Sequence, residues 1–552
     1  MVNQFLKHYR LVISTLSPIH IGCGEDYEPT NYVMDDGLLY IFDPVAALSS
    51  DESARNELME IVTKEYDDNI IEKIQNFFHK RTDTLLLVHS RRIPVGDGIQ
   101  EYYNNRVGKT MQANTKAINR LNIERMSYVS SDDRSILPGT SLKGAIRTAL
   151  LDDVYGGKPL DNKEDVKNRK NSWKTLSPIP RTLGDTLPQK FERDPMRLIR
   201  IGDANPKNGG ECSEIFFAVN HKLSSAEGKG PYQTLECVSP MGLESFITNI
   251  SFLDPEQVQS YDDDQPTKKK GLPPKHHQWD YLTVVRTCNN YYKAHLLREL
   301  REIREFLDPK WVETLQQSLD EGGLKKLLEG GKTFLLRAGR HSGAESMTLN
   351  GARYIYRPQR KDWVPKPSTV WIAAREIERR KDMLPFGWLL VEIDDGKRRP
   401  LVESAPELVG LAKNFLNDRT KHIIASDKKL VILREKSEAK RIAEEERQAK
   451  SAREAAEKAA REARLTAMTP NQRKIEGFRT QIAQSPIPQP ISGKLWQDAN
   501  KLVADAEKGE WMPDEKAELN RVCREELPGK LIKDTAKKQK ELRVRLDKLM
   551  AG

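Results

Sequence analysis

A glycine-containing turn that runs directly into a short helix is the feature of this 552-residue chain that most constrains its fold. It spans residues 136–150, where a Pro-Gly pair interrupts the preceding segment and apolar residues recur at helical spacing from Leu142 onward. Ser141 or Thr140 is placed to cap the first turn. The sequence therefore predicts a helix that begins near Leu142 and buries one face.

The other face of this predicted helix carries residues suited to a phosphate. Lys143 and Arg147 lie one turn apart, and Gly144 between them has no side chain to keep a polymer backbone away. Free N–H groups at the helix start favour an anion, and a chain of phosphates would use all of these groups together. An ordinary capped helix with solvated Lys and Arg side chains is the alternative. No Gly-Lys-Ser/Thr motif follows a strand here, which argues against a P-loop nucleotide hydrolase.

Composition narrows the class of protein. The chain has 90 Lys and Arg against 81 Asp and Glu, a net charge of +9, which favours a polyanionic partner. Its apolar runs are too short to span a bilayer, and its first seven residues lack the apolar core of a secretion signal. We therefore expect a cytoplasmic protein without a membrane partner.

The cysteines and histidines predict neither a disulfide framework nor a metal site. The five cysteines contain no Cys-x-x-Cys pair, which is typical of reduced, structural thiols. His276 and His277 with Cys288 have no usable metal spacing. We expect no metal and no cofactor. The cysteines are Cys23, Cys212, Cys237, Cys288 and Cys523.

The pattern along the first 395 residues predicts an α+β fold. Alternating, β-branched segments predict several strands, Asp36-Gly37 predicts a hairpin turn, and residues 44–48 and 281–306 predict helices. Strands and a hairpin before the helix at 142, with more strands after it, favour sheets with segregated helices. The predicted strands are 9–16, 32–34, 38–42, 198–201, 214–219, 234–238, 245–252 and 385–393.

Three polar segments interrupt this pattern, and a second glycine-rich segment follows them. Residues 51–135 predict a polar, helical insertion, residues 156–189 an irregular exposed loop, and residues 254–275 a charged linker. Residues 330–343 then predict a short strand that breaks into a loop carrying Arg337, Arg340 and His341. This loop resembles the turn at residue 139 in its glycines and cations.

The amino-acid composition of the chain changes after about residue 394. Residues 435–464 consist almost entirely of charged residues, Gln, Ser and Ala, which favours a helix without the apolar seam of a coiled coil. We expect a solvated single helix. Segments with more apolar residues follow after Pro470 and predict a small helical region.

Several of these segments, in this order, resemble the RAMP superfamily of CRISPR effector subunits, and within it the terminal backbone subunit of type III-A (Csm) complexes. The resemblance covers roughly the first 395 residues. Its segments are 17–22 (Ser-Pro-Ile-His-Ile-Gly), 137–150, 194–203, 235–240 (Leu-Glu-Cys-Val-Ser-Pro), 337–343 (Arg-Ala-Gly-Arg-His-Ser-Gly) and 384–388 (Leu-Pro-Phe-Gly-Trp).

The resemblance implies two ferredoxin-like (RRM-like) modules with helical insertions, followed by a charged helix and a small helical C-terminal region. The domains expected from it are 1–255, which contains the insertion at about 51–135, then 256–395 with a second insertion. A connector and charged helix at 396–465 and a helical region at 466–552 would complete the chain.

The resemblance also implies a non-catalytic, RNA-binding subunit that caps the 3′ side of the guide (crRNA), assists its maturation and serves antiviral defence. Expected partners are guide RNA, target RNA, the other Csm subunits and maturation nucleases. Backbone amides with Lys and Arg bind phosphates without reading base sequence, which agrees with that role. The predicted RNA-binding residues are His20, Gly22, Gly139, Thr140, Ser141, Lys143, Gly144, Arg147, Arg337, Gly339, Arg340 and His341.

Alternatives remain open at individual residues. His20 ends an apolar strand, so a packed core histidine is the competing interpretation. Arg197 and Arg200 have Asp194 and Asp203 nearby in the chain and are as well suited to ion pairs as to RNA.

Two alternatives concern the function of the whole chain. Related backbone subunits cut RNA with an acid in the loop after the first strand, where this chain has Glu25, Asp26 and Glu28. A metal-dependent endoribonuclease that uses Asp26 is therefore the alternative to a non-catalytic subunit. A protein-interaction scaffold built on the charged helix after Glu435 is a third hypothesis.

Overall fold

A computed structural model describes most of the chain, and it divides into two compact units, Met1–Arg434 and Glu435–Gly552. No helix among the described residues is long and apolar enough to cross a membrane. Most of the predicted loop at 156–189 and most of the linker at 254–275 lie outside the described residues. The described residues are 5–49, 51–63, 70–108, 121–157, 194–223, 230–256, 273–351, 353, 355–357, 362–364, 366–532 and 536–551.

The strands fall within the first unit. In chain order they are β1 Leu6–Thr15, β2 Gly22–Tyr27, β3 Tyr32–Asp35, β4 Leu38–Ile41, β5 Arg91–Pro94, β6 Ile123–Met126, β7 Tyr128–Val129, β8 Arg134–Ser135, β9 Ile199–Ile201, β10 Asn205–Pro206, β11 Ser213–Lys222, β12 Tyr232–Val238, β13 Gly242–Leu253, β14 Thr333–Arg337, β15 Ile355–Arg357, β16 Asp362–Val364, β17 Thr369–Ala374, β18 Leu384–Pro385 and β19 Trp388–Asp394.

The helices occur in both units. They are α1 Pro44–Leu48, α2 Glu52–Thr63, α3 Ile70–His79, α4 Thr82–Leu87, α5 Asp97–Arg106, α6 Gly139–Tyr155, α7 Tyr281–Glu302, α8 Pro309–Asp320, α9 Gly323–Glu329, α10 Leu401–Ser404, α11 Pro406–Ala467, α12 Pro470–Gln484, α13 Lys494–Lys508, α14 Pro513–Arg521 and α15 Ala536–Ala551.

The first sheet is built around β1, whose carboxyl half is buried. Strand β1 pairs antiparallel with β13 on one side and with β19 on the other, giving the order β10-β13-β1-β19-β14, with β9 also on β13. The first and last long strands of the unit are therefore neighbours. The predicted boundary at 255/256 passes through this sheet, because β14 and β19 follow it in the chain while β1 and β13 precede it.

The second sheet has the order β18-β17-β11-β12-β6-β2 and also takes strands from both sides of that boundary. Strand β6 pairs in parallel with β12 and antiparallel with β2. Strand β2 forms one edge, and every residue in it except Tyr27 is exposed. The structure thus confirms a mixed fold of sheets and helices. Each of the two large sheets takes strands from both sides of the predicted boundary.

The predicted insertion at 51–135 is only partly helical. Helices α2 to α5 lie within it, but β5 extends the β3–β4 hairpin into a three-stranded sheet and β6 belongs to the second sheet. The hairpin turn at Asp36 and Gly37 is confirmed, with φ of 46° and 78°. Two successive positive φ angles favour a tight hairpin turn that matches the twist of its strands.

Helices α6 and α7 pack against each other, and both contact β14 of the first sheet. The buried Tyr292 hydroxyl of α7 donates to the carbonyl of Ala145 in α6 (2.9 Å), and the indole of Trp311 in α8 donates to the carbonyl of Leu16 (2.7 Å). Both aromatic side chains belong to one large apolar core that includes the inner faces of both sheets. This core holds the start of α6 and the end of β14 in fixed positions.

The second unit is helical in its described residues. Residues 435–464 of α11 are all exposed, which agrees with their scarcity of large apolar side chains. Helices α12 to α15 enclose a separate apolar core that contains Phe478, Trp496, Leu519 and Leu546. A single π-helical turn at Val522–Glu526 follows α14.

Candidate nucleic-acid interface

Helix α6 begins at Gly139, three residues earlier than the sequence predicted. Pro138 is its N-cap, and neither Thr140 nor Ser141 makes a capping side-chain bond. The N–H of Gly139 donates to Oδ1 of Asp203 (2.7 Å). The prediction of a Ser or Thr cap is wrong, because a carboxylate from a distant segment already occupies the position where an anion was expected.

Gly139 is needed for packing inside the protein. A Cβ atom on this residue would lie 2.5 Å from the carbonyl oxygen of Ile201 and 2.7 Å from the backbone of Gly202. The glycine therefore lets the start of α6 lie directly against β9 and its continuation. This contact excludes Gly139 from the surface that an RNA strand would reach.

Gly144 has the opposite surroundings. It is exposed, and a Cβ atom built on it would meet nothing within 4 Å among the described residues. Lys143 lies near Arg147 and near Arg200 of β9, and it also lies near Asp194, the ion-pair partner of Arg147. We call Lys143, Gly144, Arg147 and Arg200 the basic patch. In the part of the chain that the structure describes, its three cations lie around one carboxylate, so the patch is positively charged.

The two cations of α6 differ in their contacts. Nη1 of Arg147 lies 2.9 and 2.8 Å from the two oxygens of Asp194, which also caps the short helical turn after it by accepting from the N–H of Met196. Lys143 has no ion pair within 4.0 Å among the described residues, and partial burial lowers the pKa of its amine while Asp194 opposes that shift. Lys143 is thus the cation of α6 that remains available to a phosphate.

Arg337 lies inside the protein at the end of β14, whereas the sequence places it in a loop that would bind RNA. Its guanidinium pairs with Glu299 of α7 (2.8 Å), its Nε donates to the carbonyl of Phe386 (2.9 Å), and only 5% of the side chain is exposed. It also lies over the ring of Trp388, 4.9 Å from the ring centroid. Arg337 joins β14 to α7 and to the segment before β19.

Gly339 and Arg340 lie against the loop that contains His20. The N–H of Arg340 donates to the carbonyl of His20 (2.8 Å), and a Cβ on Gly339 would lie 2.5 Å from that same oxygen. Gly339 also has a φ of 90°, which favours glycine. It is therefore a packing glycine. The Arg340 side chain pairs with Glu124 of β6, and 44% of it is exposed.

His341 is half-buried against the second sheet. Its ring stacks on Trp371 with centroids 4.4 Å apart, and its Nε2 is 3.0 Å from Oε1 of Gln233. Burial and the neighbouring Arg340 lower the pKa of His341 to about 4. The ring is therefore neutral near pH 7 and supplies no positive charge for a phosphate.

His20 is a packed core histidine, in agreement with the alternative interpretation of this residue. It is fully buried, and its Nδ1 lies 2.7 Å from the carbonyl of Glu236. Burial lowers the pKa of its ring. Its Nε2 has no hydrogen-bond partner among the described residues and faces Gly22, where a Cβ would lie 3.1 Å away.

Backbone hydrogen bonds link the loop at His20 to the segment that precedes α6. The N–H of Ser127 donates to the carbonyl of Ile21 (2.7 Å), and the N–H of Ile136 donates to the carbonyl of Ser127 (2.9 Å). Ile136 immediately precedes the turn into α6, and α6 contacts β14, which ends at Arg337. The loop at His20, the loop after β14 and the start of α6 therefore form one connected region.

Two of the acids in this region cannot be found by sequence reasoning. Glu299 and Glu124 come from remote segments, so no local pattern pairs them with Arg337 or Arg340. The local spacing suggests Asp194 and Asp203 as partners of Arg197 and Arg200. In the structure Asp194 pairs with Arg147, and Asp203 accepts from the N–H of Gly139.

A buried polar network on the second sheet was also missed. Arg91 of β5 pairs with Glu211 and with the fully buried Glu236 of β12, both at 2.7 Å. Glu236 also accepts from the N–H of Met126 (3.0 Å). This network joins β5 and β6, two of the strands in the predicted insertion, to β12.

Asp26 lies on the exposed edge strand β2 rather than in a loop. Its neighbour Glu25 pairs with Arg125 (3.1 Å) and accepts from the hydroxyl of Tyr128 (3.0 Å). Within the ranges that the structure describes, no group of three or more His, Cys, Asp or Glu residues is arranged to hold a metal ion.

The class of this chain follows from a family comparison. Residues 12–336 match the model of the RAMP superfamily, which is more than half of the chain, so the chain belongs to this superfamily. The predicted resemblance to RAMP proteins is confirmed.

Individual relatives are more distant. The chain is similar to "CRISPR system Cms protein Csm5" of Methanocaldococcus jannaschii, 26% identical over 162 residues, which are 28% of this chain and 35% of that protein. The match thus spans about a third of the length of the curated relative.

Two solved structures also show similarity. One is a cryo-EM structure of a Csm-crRNA-target RNA ternary complex of a type III-A CRISPR-Cas system, with 17% identity, a TM-score of 0.43, and coverage of 70% of this chain and 100% of that chain. The other is the crystal structure of T. onnurineus Csm5, with 18% identity, a TM-score of 0.39, and coverage of 69% and 99%.

Proposed function

We propose that this chain is a non-catalytic, RNA-binding subunit of a type III-A CRISPR effector complex. It would cap the 3′ side of the guide RNA and assist guide maturation and antiviral defence from the cytoplasm. Its partners would be guide and target RNA, the other Csm subunits and maturation nucleases. Membership of the RAMP superfamily and similarity to a protein described as Csm5 support this proposal.

The observation that carries the proposal is the basic patch. Among the described residues, its three cations lie around one carboxylate, and no atom lies within 4 Å of a Cβ on Gly144, so a backbone can approach between Lys143 and Arg147. Phosphates of a polymer would bind there through charge and hydrogen bonds, independently of base sequence. Thr140 and Ser141 in the first turn of α6 are placed to add hydroxyl contacts.

Of the other predicted residues, Gly22 and Arg340 would border the RNA path beside the loop at His20. Arg340 would leave its partly exposed pair with Glu124 to bind a phosphate, since exposed ion pairs are worth only about 0–1 kcal/mol. Gly139, Gly339, His20 and Arg337 would act from inside the protein by shaping this region.

The proposal is tested with Lys143→Ala/Arg200→Ala, because neither side chain has an ion pair within 4.0 Å among the described residues. We expect guide RNA affinity to fall about ten- to a hundredfold at low salt. The slope of log K against log salt should decrease by about 1.4 if each cation contacts one phosphate of a single strand. Filter binding with a guide-length RNA at several salt concentrations measures both quantities.

The matched control is Lys436→Ala/Lys440→Ala, which removes the same charge from exposed positions on α11. It should leave the affinity and the slope near those of the unmodified chain. Equal losses in both double variants would mean that only net charge matters, and the basic patch would then have no specific role.

The endoribonuclease alternative is tested in the same assay. Asp26→Ala should leave guide RNA binding unchanged, and the purified chain with Mg²⁺ should leave a labelled RNA intact. Cleavage that the purified chain performs and that Asp26→Ala abolishes would replace the non-catalytic proposal with the enzymatic one.

A further inference from the structure

The first unit also has an apolar groove of about 500 Å³, which shares no residue with the basic patch. One wall is the turn between β12 and β13, with Pro240, Met241 and Leu243. The other wall is formed by α10 and the first turns of α11, with Val402 and Leu416. We call it the lateral groove.

The lateral groove exposes large apolar side chains that the fold leaves uncovered. Val402 is 60% exposed and Leu416 is 50% exposed. The apolar surface continues along α11 through Ile424 and Val431, each 52% exposed. Positions 409, 416, 424 and 431 are seven or eight residues apart, so they lie on one side of the helix over about 33 Å. A straight apolar stripe of this length matches another helix in shape.

The acidic residues that line the lateral groove do not form ion pairs with the basic residues that line it. Its acids already have partners outside it: Glu211 pairs with Arg91, Glu214 with Arg375 and Glu244 with Arg398.

The cations of the groove, Lys413 and Arg419, have no carboxylate within 4.0 Å among the described residues. Arg419 lies close enough to Glu214 to oppose the increase in its carboxyl pKa, which burial causes, but it forms no ion pair with it. Among the described residues, the groove therefore presents two cations without an ion pair beside an apolar stripe.

Ser239 adds an independent sign of an occupant. It lines the groove at 3% exposure, and its hydroxyl has no hydrogen-bond partner among the described residues. Buried hydroxyls normally have a partner, because an unpaired one costs free energy. An acidic or amide side chain that enters the groove would provide one.

We propose that the lateral groove binds an amphipathic, acidic helix of another protein. The apolar face of that helix packs on the stripe from Val409 to Val431, and its acidic residues pair with Lys413 and Arg419. The charge of the groove selects acidic over basic helices, since a Lys or Arg placed there would repel the two cations. This interaction does not depend on RNA binding.

The experiment uses the full chain and three labelled 18-residue peptides in fluorescence anisotropy at about 150 mM salt. One peptide is amphipathic with Leu on one face and Glu on its flanks, the second is its scrambled sequence, and the third carries Lys in place of Glu. We expect the acidic amphipathic peptide to bind at least about tenfold more tightly than either of the others.

Variants of the chain then locate the site. Leu416→Glu should weaken binding of the acidic peptide about tenfold or more, because it places a charge in the apolar contact. Ile442→Glu, at a residue that is 45% exposed on the same helix beyond the groove, should not. Lys413→Glu/Arg419→Glu should reverse the preference toward the basic peptide.

Equal affinity for all three peptides, or binding that Leu416→Glu leaves unchanged, would overturn the proposal, as would the absence of any binding. Size-exclusion chromatography with light scattering tests whether a second copy of this chain occupies the groove. A dimer that Leu416→Glu converts to a monomer would show that the groove binds a second copy of this chain, and the proposed acidic helix would be wrong.

Discussion

The two glycine-containing segments of this chain have similar residues, but their cations lie in different surroundings. Arg337, at the end of β14, is 5% exposed and bound to Glu299 in the core. Lys143, in the second turn of α6, has no ion pair within 4.0 Å among the described residues, and a Cβ atom on Gly144 would meet none of them within 4 Å. The same residue types thus join secondary-structure elements in one place and form a basic surface in the other.

The burial of the acidic partner decides whether a cation is held in the core or stays at the surface. A buried carboxylate needs a cation, because leaving it unpaired costs several kcal/mol, so Glu299 holds Arg337 firmly. A partly exposed carboxylate such as Asp194 stabilises its partner Arg147 by only about 0–1 kcal/mol. RNA phosphates can therefore compete with Asp194 for its cation, but not with Glu299.

The largest expected effect is on the buried bend. Arg337→Ala should lower the free energy of unfolding of the first unit by about 3–5 kcal/mol, because it leaves Glu299 buried without a counter-charge. A urea titration read by hydrogen–deuterium exchange of peptides from β14 and β19 measures this change.

The double variant Arg337→Met/Glu299→Gln is the control for that prediction. It should recover most of the lost stability, since an uncharged pair needs no compensation. Arg337→Ala could instead leave stability unchanged and lower RNA affinity. Both segments would then bind RNA, and the contrast between them would be wrong.

An intermediate effect is expected at the two glycines of α6, which form a matched pair. Gly139→Ala should destabilise the first unit by about 1–3 kcal/mol, because its Cβ would overlap the carbonyl of Ile201. Gly144→Ala should stabilise the helix by up to about 1 kcal/mol, since it is an exposed helical position with free space. Thermal unfolding of both variants checks the opposite signs, and changes of the same sign would contradict the packing described for Gly139.

The smallest expected effect is a pH dependence at His341. Its pKa falls to about 4 in the fold from an ordinary value of 6.5, so between these values the unfolded chain binds a proton that the folded chain does not. The free energy of unfolding should therefore decrease as the pH falls from about 6.5 to about 4, by about 1–2 kcal/mol for this half-buried ring.

His341→Asn isolates that contribution, because Asn tolerates the positive φ of this position. The variant should lose less stability than the unmodified chain between pH 6.5 and pH 4 in urea titrations. His20 and His295, whose pKa values are also lowered by burial, remain in both proteins. Identical pH profiles would mean that the His341 ring is solvated.

The sequence predicted those parts of the fold that depend on neighbouring residues. The turn at Asp36 and Gly37 needs two positive φ angles and has residues that tolerate them. Strands β5 and β6 were missed because they are short and lie among helical segments. Their place in the sheets depends on pairing with β4 and β12, far away in the chain.

The candidate site was predictable to a similar extent. The position of α6, its exposed Gly144 and its cations followed from local spacing. The burial of Arg337 and the cap from Asp203 did not, because each depends on a contact between segments about forty or more residues apart.

By itself, the sequence determined several helices, the hairpin turn at Asp36 and Gly37, the charged surface helix and the superfamily of this protein, since these depend on local propensity, side-chain periodicity and short motifs. The tertiary structure alone decided which cations face solvent and which lie paired in the core. The physical reason is that the strength of an ion pair depends on the burial of both partners, and burial is a property of the packed chain.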